Sequence, residues 1–534
     1  MVSPPECGEH QGFCLEAHAL LQGRVGLYLF LIIFLVYLLT TSGTTIYVTL
    51  DGLVRLEVIK SITSTLTADV PAKYGAGFAL QGREGRFYDP HEVGHTLLSI
   101  PFFVVGQALG NPQFFLSLMN PLALAWTCVF FFRLCGTVGY SLSTSVRLTL
   151  ILALCTQLWP ESKSPFDHAL ESLFCLAAFY HACLSCTKET RSTLVVCGAF
   201  LGAAIATRTI SVLFGAPIAF YVISYTWRRQ TVLAKKLGEA AKQFCLLLAG
   251  LAPGLALALG YNSYRFGSML TTGYAGWSQL HKVDLFSNPI WKGMLGLTVS
   301  PGKGLFFYCP IVLLSILNYK KFLRWKKELA VAIALLLALY SIVLGKYIAW
   351  HGDFAWGPRY LTVLLPYLIL PLGIVFERRS RTNPFRRTLL KAAVSIGFVV
   401  QLMAVSIDMN VFFLRAQTAG VLNRDFAWRT YSIPYEFYFD PENSPLVSRI
   451  YEIRDALQNQ RPLETDSNPE WSKVITTPQR EAEIDFWWKG LFAKKEIEFL
   501  PAVSLLLIGI LFSASKVIYL LRSSRLTGSE SRTA

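Results

Sequence analysis

Charge is scarce in this chain: Asp, Glu, Lys and Arg make up only 16% of its 534 residues. A soluble domain carries about 25%, so a water-facing surface along the whole length is excluded. Acidic residues are the scarcer kind, 34 against 49 basic ones, giving a formal net charge of +15. The short alternating segments of a membrane β-barrel are absent, and so are regular repeats and low-complexity tracts. The eleven Cys are scattered. Cys128, Cys155, Cys175, Cys197 and Cys245 lie in apolar stretches, where Cys behaves as a small buried hydrophobe rather than a disulfide partner. The first 24 residues are polar, and no Ala-x-Ala-like cleavage site ends the run Val25–Leu39. That run reads as a retained first helix rather than a removed signal.

What is abundant is apolar: 53% of residues are hydrophobic and the mean hydropathy is +0.44. Long apolar runs must satisfy their own backbone hydrogen bonds inside a bilayer. The fold class is therefore an all-α polytopic membrane protein. Twelve spans are expected, at 25–42, 113–132, 146–160, 167–187, 193–207, 210–226, 243–260, 304–317, 329–348, 361–377, 389–407 and 499–520. Basic clusters fall between them at Arg228, Arg229, Lys235 and Lys236; at Lys320, Lys321, Arg324, Lys326 and Lys327; and at Arg378, Arg379, Arg381, Arg386 and Arg387. Smaller groups are Arg133 with Arg147, Lys188 with Arg191, and Arg522 with Arg525. This pattern fits the positive-inside rule rather than a nucleic-acid partner. Placing every cluster in the cytoplasm requires twelve crossings with both termini inside. Segment 94–110, broken by Pro101, is then a juxtamembrane or partly inserted helix; a thirteenth crossing is the competing reading.

The domain organisation follows. Residues 1–24 form a cytoplasmic tail, and 25–407 the main transmembrane region. Residues 408–498 form a hydrophilic extracytoplasmic segment or small accessory domain, 499–520 the final span, and 521–534 a second cytoplasmic tail. Segments 43–112, 261–303, 349–360 and 408–498 share the outer face.

The unusual polar groups concentrate on that face. Asp51 follows TTIYVTL at the end of the first span, with Glu57 and Lys60 on a surface helix after it. A carboxylate part-withdrawn from water is suited to general-base work; an Asp-Gly pair also marks a capped turn. His91-Glu92-Val93-Gly94-His95 is a literal HExxH, which on one helix would bind zinc. Asp89-Pro90 reads as the start of such a helix, but no third ligand stands at a recognisable spacing; His281 and His351 are outer-face candidates. Ser300-Pro301-Gly302-Lys303-Gly304 offers a Gly-flanked Lys for a phosphate, or a turn leading into a helix with an interfacial Lys. Arg359 begins a span on the face opposite the basic clusters, and Arg265 and Arg208 are similar exceptions. An anionic ligand on the outer face would account for all three. Trp159–Asp167 reads equally as a cleft lining or a plain turn.

These stretches, with YDPHEVGHTLLSIPFFVVGQALG, WPESKSPFDHAL, YNSYRFGSMLTTGY, SPGKGLFFYCP and HGDFAWGPRYLTVLLP, resemble the bacterial GT-C glycosyltransferases, near the protein-mannosyltransferase and aminoarabinose-transferase group. The resemblance covers roughly residues 25–407. It implies a GT-C-like fold of about 12–13 transmembrane helices in the bacterial inner membrane, with the site facing the periplasm. It also implies a polyprenyl-phosphate-linked sugar donor, a lipid, glycan or protein acceptor, and inverting displacement without a covalent intermediate. On the matching residues, Asp51 becomes the base for the acceptor hydroxyl. Arg265, Lys303 and Arg359 become the groups that hold the lipid phosphate. No cofactor is firmly implied. Some relatives carry paired acidic residues after the first span, whereas Asp51 is followed by Gly52. Asp69, Glu84, Glu92, His91 and His95 are the other polar groups to consider. Three other readings are kept: a transporter of an anionic or lipid-linked substrate with broken spans such as 199–215, a zinc protease using His91, Glu92 and His95, and a noncatalytic lipid-binding scaffold.

Overall fold

A computed structural model describes residues 9–43, 49–75, 78–188, 192–352, 355–377, 384–418, 435–458, 484–488 and 499–530. Outside them lie Arg191, Asp353, Phe354, the arginines at 378, 379 and 381, and most of the segment 408–498. Among the described residues, nine helices are long and apolar enough to cross a membrane: Leu20–Thr40, Pro112–Val138, His168–Thr187, Thr209–Arg229, Leu233–Phe266, Lys327–Lys346, Arg359–Glu377, Pro384–Ser406 and Pro501–Ser524. Leu142–Leu154 and Ser192–Thr207 are apolar but shorter. The chain is a polytopic helical membrane protein, and three of the twelve expected spans fall short of that length. In the run 304–317 the cause is Pro310, which separates the helices Leu305–Tyr308 and Ile311–Leu317 because proline cannot donate to the ladder. The run 146–160 ends early as a helix at Leu154 and resumes as the short turn Leu158–Glu161.

The heaviest helix pairing is between Ser192–Thr207 and Leu233–Phe266, and it rests on small residues. A Cβ at Gly198 would sit 2.1 Å from the Leu247 carbonyl oxygen, and one at Gly254 2.2 Å from the Gly202 carbonyl carbon. Two small-xxx-small faces thus bring the backbones together where apolar side chains alone have little driving force in lipid. Gly254→Leu is expected to cost about 1–3 kcal/mol through overpacking. The apparent melting temperature of the detergent-solubilised variant should fall by several degrees; an unchanged value would show that the helices do not meet here. Of the nine Cys whose side chains are described, eight are buried; Cys245 is exposed, against the expectation that it packs inside.

The two ends of the bundle differ. At the basic end, Arg228 pairs with Glu328 and the Ser141 N–H donates to Glu377 (2.6 Å). At the other end, helix α1 (Glu9–Thr40) is followed by α2 (Leu50–Thr65), whose first turn is capped by Thr49 accepting from the Gly52 N–H (3.2 Å). Helix α2 buries Leu53, Val54, Leu56, Val58 and Ile59. After it come three two-residue strands, β1 (Asp69–Val70), β2 (Leu80–Gln81) and β3 (Phe87–Tyr88), in the antiparallel order β1-β3-β2. Tyr88 is opposite both Asp69 and Leu80. This small sheet is an addition within a loop of an otherwise all-α membrane fold. Helix α3 (Gly94–Ala108) has 15 residues, about 22 Å at 1.5 Å per residue, short of a hydrocarbon core of about 30 Å. It packs Phe103 against Leu56 and Ile59 of α2 and exposes Leu98, Val104, Val105 and Leu109.

The described parts of 408–498 dock on the same end. Gly302 N–H donates to the Tyr438 carbonyl (2.9 Å), and Ser444 Oγ donates to the Pro301 carbonyl (2.8 Å). The Trp487 and Trp488 indoles donate to the Leu38 and Leu39 carbonyls at 2.9 and 2.8 Å, tying residues 484–488 to the end of α1.

Candidate active site

The first turn of α2 carries Asp51, with a side-chain exposure of 20%. One turn on, Arg55 lies on the same face, as i and i+4 positions do, but is buried. Arg55 Nη1 donates to the Pro165 carbonyl (2.9 Å) and Nη2 to Asp167 Oδ2 (3.0 Å). The other Asp167 oxygen accepts from Arg208 Nη1 (2.9 Å), and Arg208 Nε lies 3.3 Å from Glu171. Glu171 also accepts from the Tyr340 hydroxyl (3.1 Å), pairs with His168 Nδ1 (3.2 Å) and meets Ser211 Oγ (3.3 Å). Charges of alternating sign therefore run from α2 across two neighbouring helices. Such a buried chain is tolerated only when each charge faces its opposite and further hydrogen bonds satisfy the remainder.

A second shell of contacts holds the segment 89–95. Arg265, fully buried, donates from Nη1 to the Asp89 and His91 carbonyls (2.5 and 2.7 Å) and from Nη2 to Asn262 Oδ1 (2.7 Å). Its guanidinium lies 4.0 Å from the Tyr261 ring centroid and 4.7 Å from that of Phe266. Gly273 presses on the same segment, since a Cβ there would sit 1.7 Å from the Pro90 carbonyl oxygen. So fixed, Asp89 Oδ1 accepts from the His91 backbone N–H (3.0 Å) and meets His91 Nδ1 at 2.7 Å, while His91 Nε2 lies 3.8 Å from Asp51 Oδ2. Glu92 accepts from the Thr209 hydroxyl. Burial raises the Glu92 carboxyl above its ordinary range, against the Thr209 hydrogen bond and the Arg265 charge. Burial lowers His95 to about 3, so its ring is neutral at physiological pH.

The HExxH reading does not fit this geometry. His91 and Glu92 precede the helix, which opens at Gly94, so only His95 stands on it. Among the described residues, no three His, Cys, Asp or Glu side chains are grouped to hold a metal ion. The zinc-protease reading needs both His on one helical face and is set aside.

The remaining expected residues are spread over several places. Arg359 is at the site: its guanidinium stacks 3.7 Å from the Phe166 ring centroid and lies within electrostatic reach of Asp51 and Glu161. Its Nη2 approaches the Tyr360 hydroxyl only at 3.4 Å, and its Nε and Nη1 are buried without a hydrogen-bond partner among the described residues. Lys303 is buried, with Nζ donating to the Ala355 carbonyl (2.7 Å). Asp69 and Glu84 are grouped on the small sheet around Arg86, at 3.8 and 3.3 Å. Glu57 and Lys60 pair with each other on the surface of α2 (3.0 Å). His281 packs on Trp277 (centroids 4.2 Å apart) and His351 on Tyr438 (4.7 Å).

Sequence reasoning passed over Arg55, His168 and Glu171 and treated Asp89 only as the start of a helix. Arg55 had one usable signal, a lone Arg four residues after Asp51 on an otherwise apolar face.

Glu161, in the WPESKSPFDHAL turn, is buried and accepts from Ser164 Oγ (2.6 Å). Burial pushes its pKa up to about 8, more than Ser164 and Arg359 pull it down. The folded pKa lies above the unfolded value of 4.5, so the folded state holds a proton that the unfolded state has lost. Stability from this group is complete below about 4.5 and is lost as pH rises to about 8. Glu161→Gln should therefore show a shallower fall in melting temperature across that window than the native protein. Parallel curves would place Glu161 in contact with water.

No family model and no curated protein matches the chain. The chain is similar to solved structures, three of which follow. ArnT from Cupriavidus metallidurans bound to undecaprenyl phosphate is 14% identical with a TM-score of 0.44, over 95% of this chain and 77% of that one. The same protein in the apo state is 12% identical with a TM-score of 0.44, over 87% and 85%. The oligosaccharyltransferase of Archaeoglobus fulgidus in complex with Zn and sulfate is 11% identical with a TM-score of 0.44, over 83% and 59%.

Proposed function

We propose that this chain is a GT-C-type membrane glycosyltransferase. It moves a sugar from a polyprenyl-phosphate carrier to a hydroxyl-bearing lipid, glycan or protein acceptor, at the end of the bundle opposite the basic loops. One observation carries the reading: Arg359 stacks on Phe166, next to the Pro165 carbonyl that Arg55 of the Asp51 helix holds, and its buried Nε and Nη1 have no hydrogen-bond partner among the described residues. A partly exposed carboxylate beside such a guanidinium suits a reaction that removes a proton at one point and releases a phosphate at another.

In this mechanism Asp51 takes the acceptor hydroxyl proton as the oxygen attacks the sugar C1 from the face opposite the phosphate. The C1–O bond to phosphate breaks, configuration inverts, and the leaving phosphate keeps the bonding electrons. Arg359 neutralises that charge with N–H groups already in place. Arg265 and Lys303 serve the same phosphate through their field, while Arg265 donates to the Asp89 and His91 carbonyls and to Asn262, and Lys303 to the Ala355 carbonyl. A prenyl chain would lie in the lipid, with its phosphate at the interface.

The test is transfer by purified protein from a panel of polyprenyl-phosphate sugars to hydroxyl acceptors, read as sugar-dependent release of polyprenyl phosphate. Turnover with at least one donor is expected. Binding or movement of these lipids across liposomes without bond cleavage would favour a transporter instead.

A further inference from the structure

The proposed reaction leaves a proton on Asp51 at each turnover, and that carboxylate must be emptied before the next. We infer that Asp89, His91 and Asp51 form a carboxylate–imidazole–carboxylate relay, in which His91 acts through Asp51 as a positioning residue and carries the proton away. The inference rests on the glycosyltransferase reading for its chemistry, but on the geometry alone for the coupling of the three groups.

Three features build the relay. Asp89 Oδ1 holds His91 twice, by its backbone N–H (3.0 Å) and by ring Nδ1 (2.7 Å). That pairing puts the ring proton on Nδ1 and turns the Nε2 lone pair towards Asp51, at 3.8 Å, a gap that a small rotation of the partly exposed Asp51 side chain closes. Arg265 fixes the loop from behind through the Asp89 and His91 carbonyls. His91 has a side-chain exposure of 14%, which gives the proton a way out. The logic is that of a His oriented by a buried carboxylate, with a second carboxylate in place of a nucleophile.

The step balances. The acceptor O–H breaks as its oxygen bonds to C1, and the proton goes to Asp51 and then to Nε2 of neutral His91. The imidazolium keeps its Nδ1–H on Asp89 and loses the Nε2 proton to water. No electron changes hands.

His91 must be neutral to receive the proton. Burial by itself lowers its pKa, but Asp89 more than offsets that, with help from Asp51 and against Arg55, so the ring titrates above its usual range. Burial likewise raises Asp89, yet His91 and Arg55 bring it below the usual carboxylate value, and it stays ionised. The other groups facing the ring are Glu92 and His95 of its own segment and Asp167 of the neighbouring turn. The relay therefore works above the His91 pKa and is blocked below it.

The experiment uses the full chain in phospholipid nanodiscs with 15N-labelled histidine, the His91 signal being assigned by its loss in His91→Gln. The expected titration midpoint lies above 6.5. It should drop by roughly one unit or more in Asp89→Asn, the size of a neighbouring carboxylate's effect, and also drop in Asp51→Asn. An unchanged midpoint in Asp89→Asn overturns the coupling whether or not any substrate is known. With a donor from the transfer panel, His91→Gln should lower kcat by about 10- to 100-fold, leave KM within about twofold, and remove the acid limb of the pH profile. Asp89→Asn should move that limb to lower pH. An acid limb that survives in His91→Gln overturns the relay. Transfer from no donor would instead remove the glycosyltransferase reading and leave the titration result standing.

Discussion

Asp51→Asn is expected to reduce transfer by about 100- to 10,000-fold, the range that general-base catalysis contributes, while the protein stays folded. The substitution keeps the shape of the side chain and removes only its ability to take a proton. Folding should be indifferent to it. The N-cap of α2 is the Thr49 side chain, and Asp51 is partly exposed. The checks are initial rates and melting temperature on the same purified sample. Native rates in a folded Asp51→Asn protein would remove Asp51 from the chemistry. A collapse of melting temperature would instead show that Asp51 has a structural part in holding α2.

Much of this architecture was legible because a bilayer is a demanding solvent. Each long apolar run must become a helix, and the runs around Leu20–Thr40, His168–Thr187 and Lys327–Lys346 did so. The sheet escaped because its strands have two residues each, too few to show alternation. The HExxH letters misled because helix α3 begins two residues past Glu92, and spacing says nothing about where a helix opens. Arg55 was the costliest omission. Its place on an apolar face hints at burial, but its partner is Asp167, which no local pattern links to it. Helix periodicity places residues on faces; which faces meet is a tertiary fact.

That pairing sets the largest expected effect on stability. Asp167 lies between two buried guanidiniums, Arg55 at 3.0 Å and Arg208 at 2.9 Å. Asp167→Ala removes the negative charge from between them and leaves two cations facing each other where water is excluded. Breaking a buried pair by deleting one partner costs about 3–5 kcal/mol, most of it the penalty of the charge left behind rather than the worth of the bond. Arg208 retains Glu171, and Arg55 retains the Pro165 carbonyl, so the loss falls mainly on the Arg55 side. A double variant therefore separates the terms. Adding Arg55→Met to Asp167→Ala should restore part of the lost stability, because it withdraws the stranded cation. Melting temperatures of the two single variants and the double variant give the coupling; additive losses would show that the two residues do not interact. Transfer rates carry the second half of the argument. Arg55 stands one turn after Asp51, so its tether to Asp167 sets how α2 is rotated and where the Asp51 carboxylate points. A folded fraction of Asp167→Ala should thus show a lower kcat even though Asp167 touches no reacting atom in the proposed mechanism.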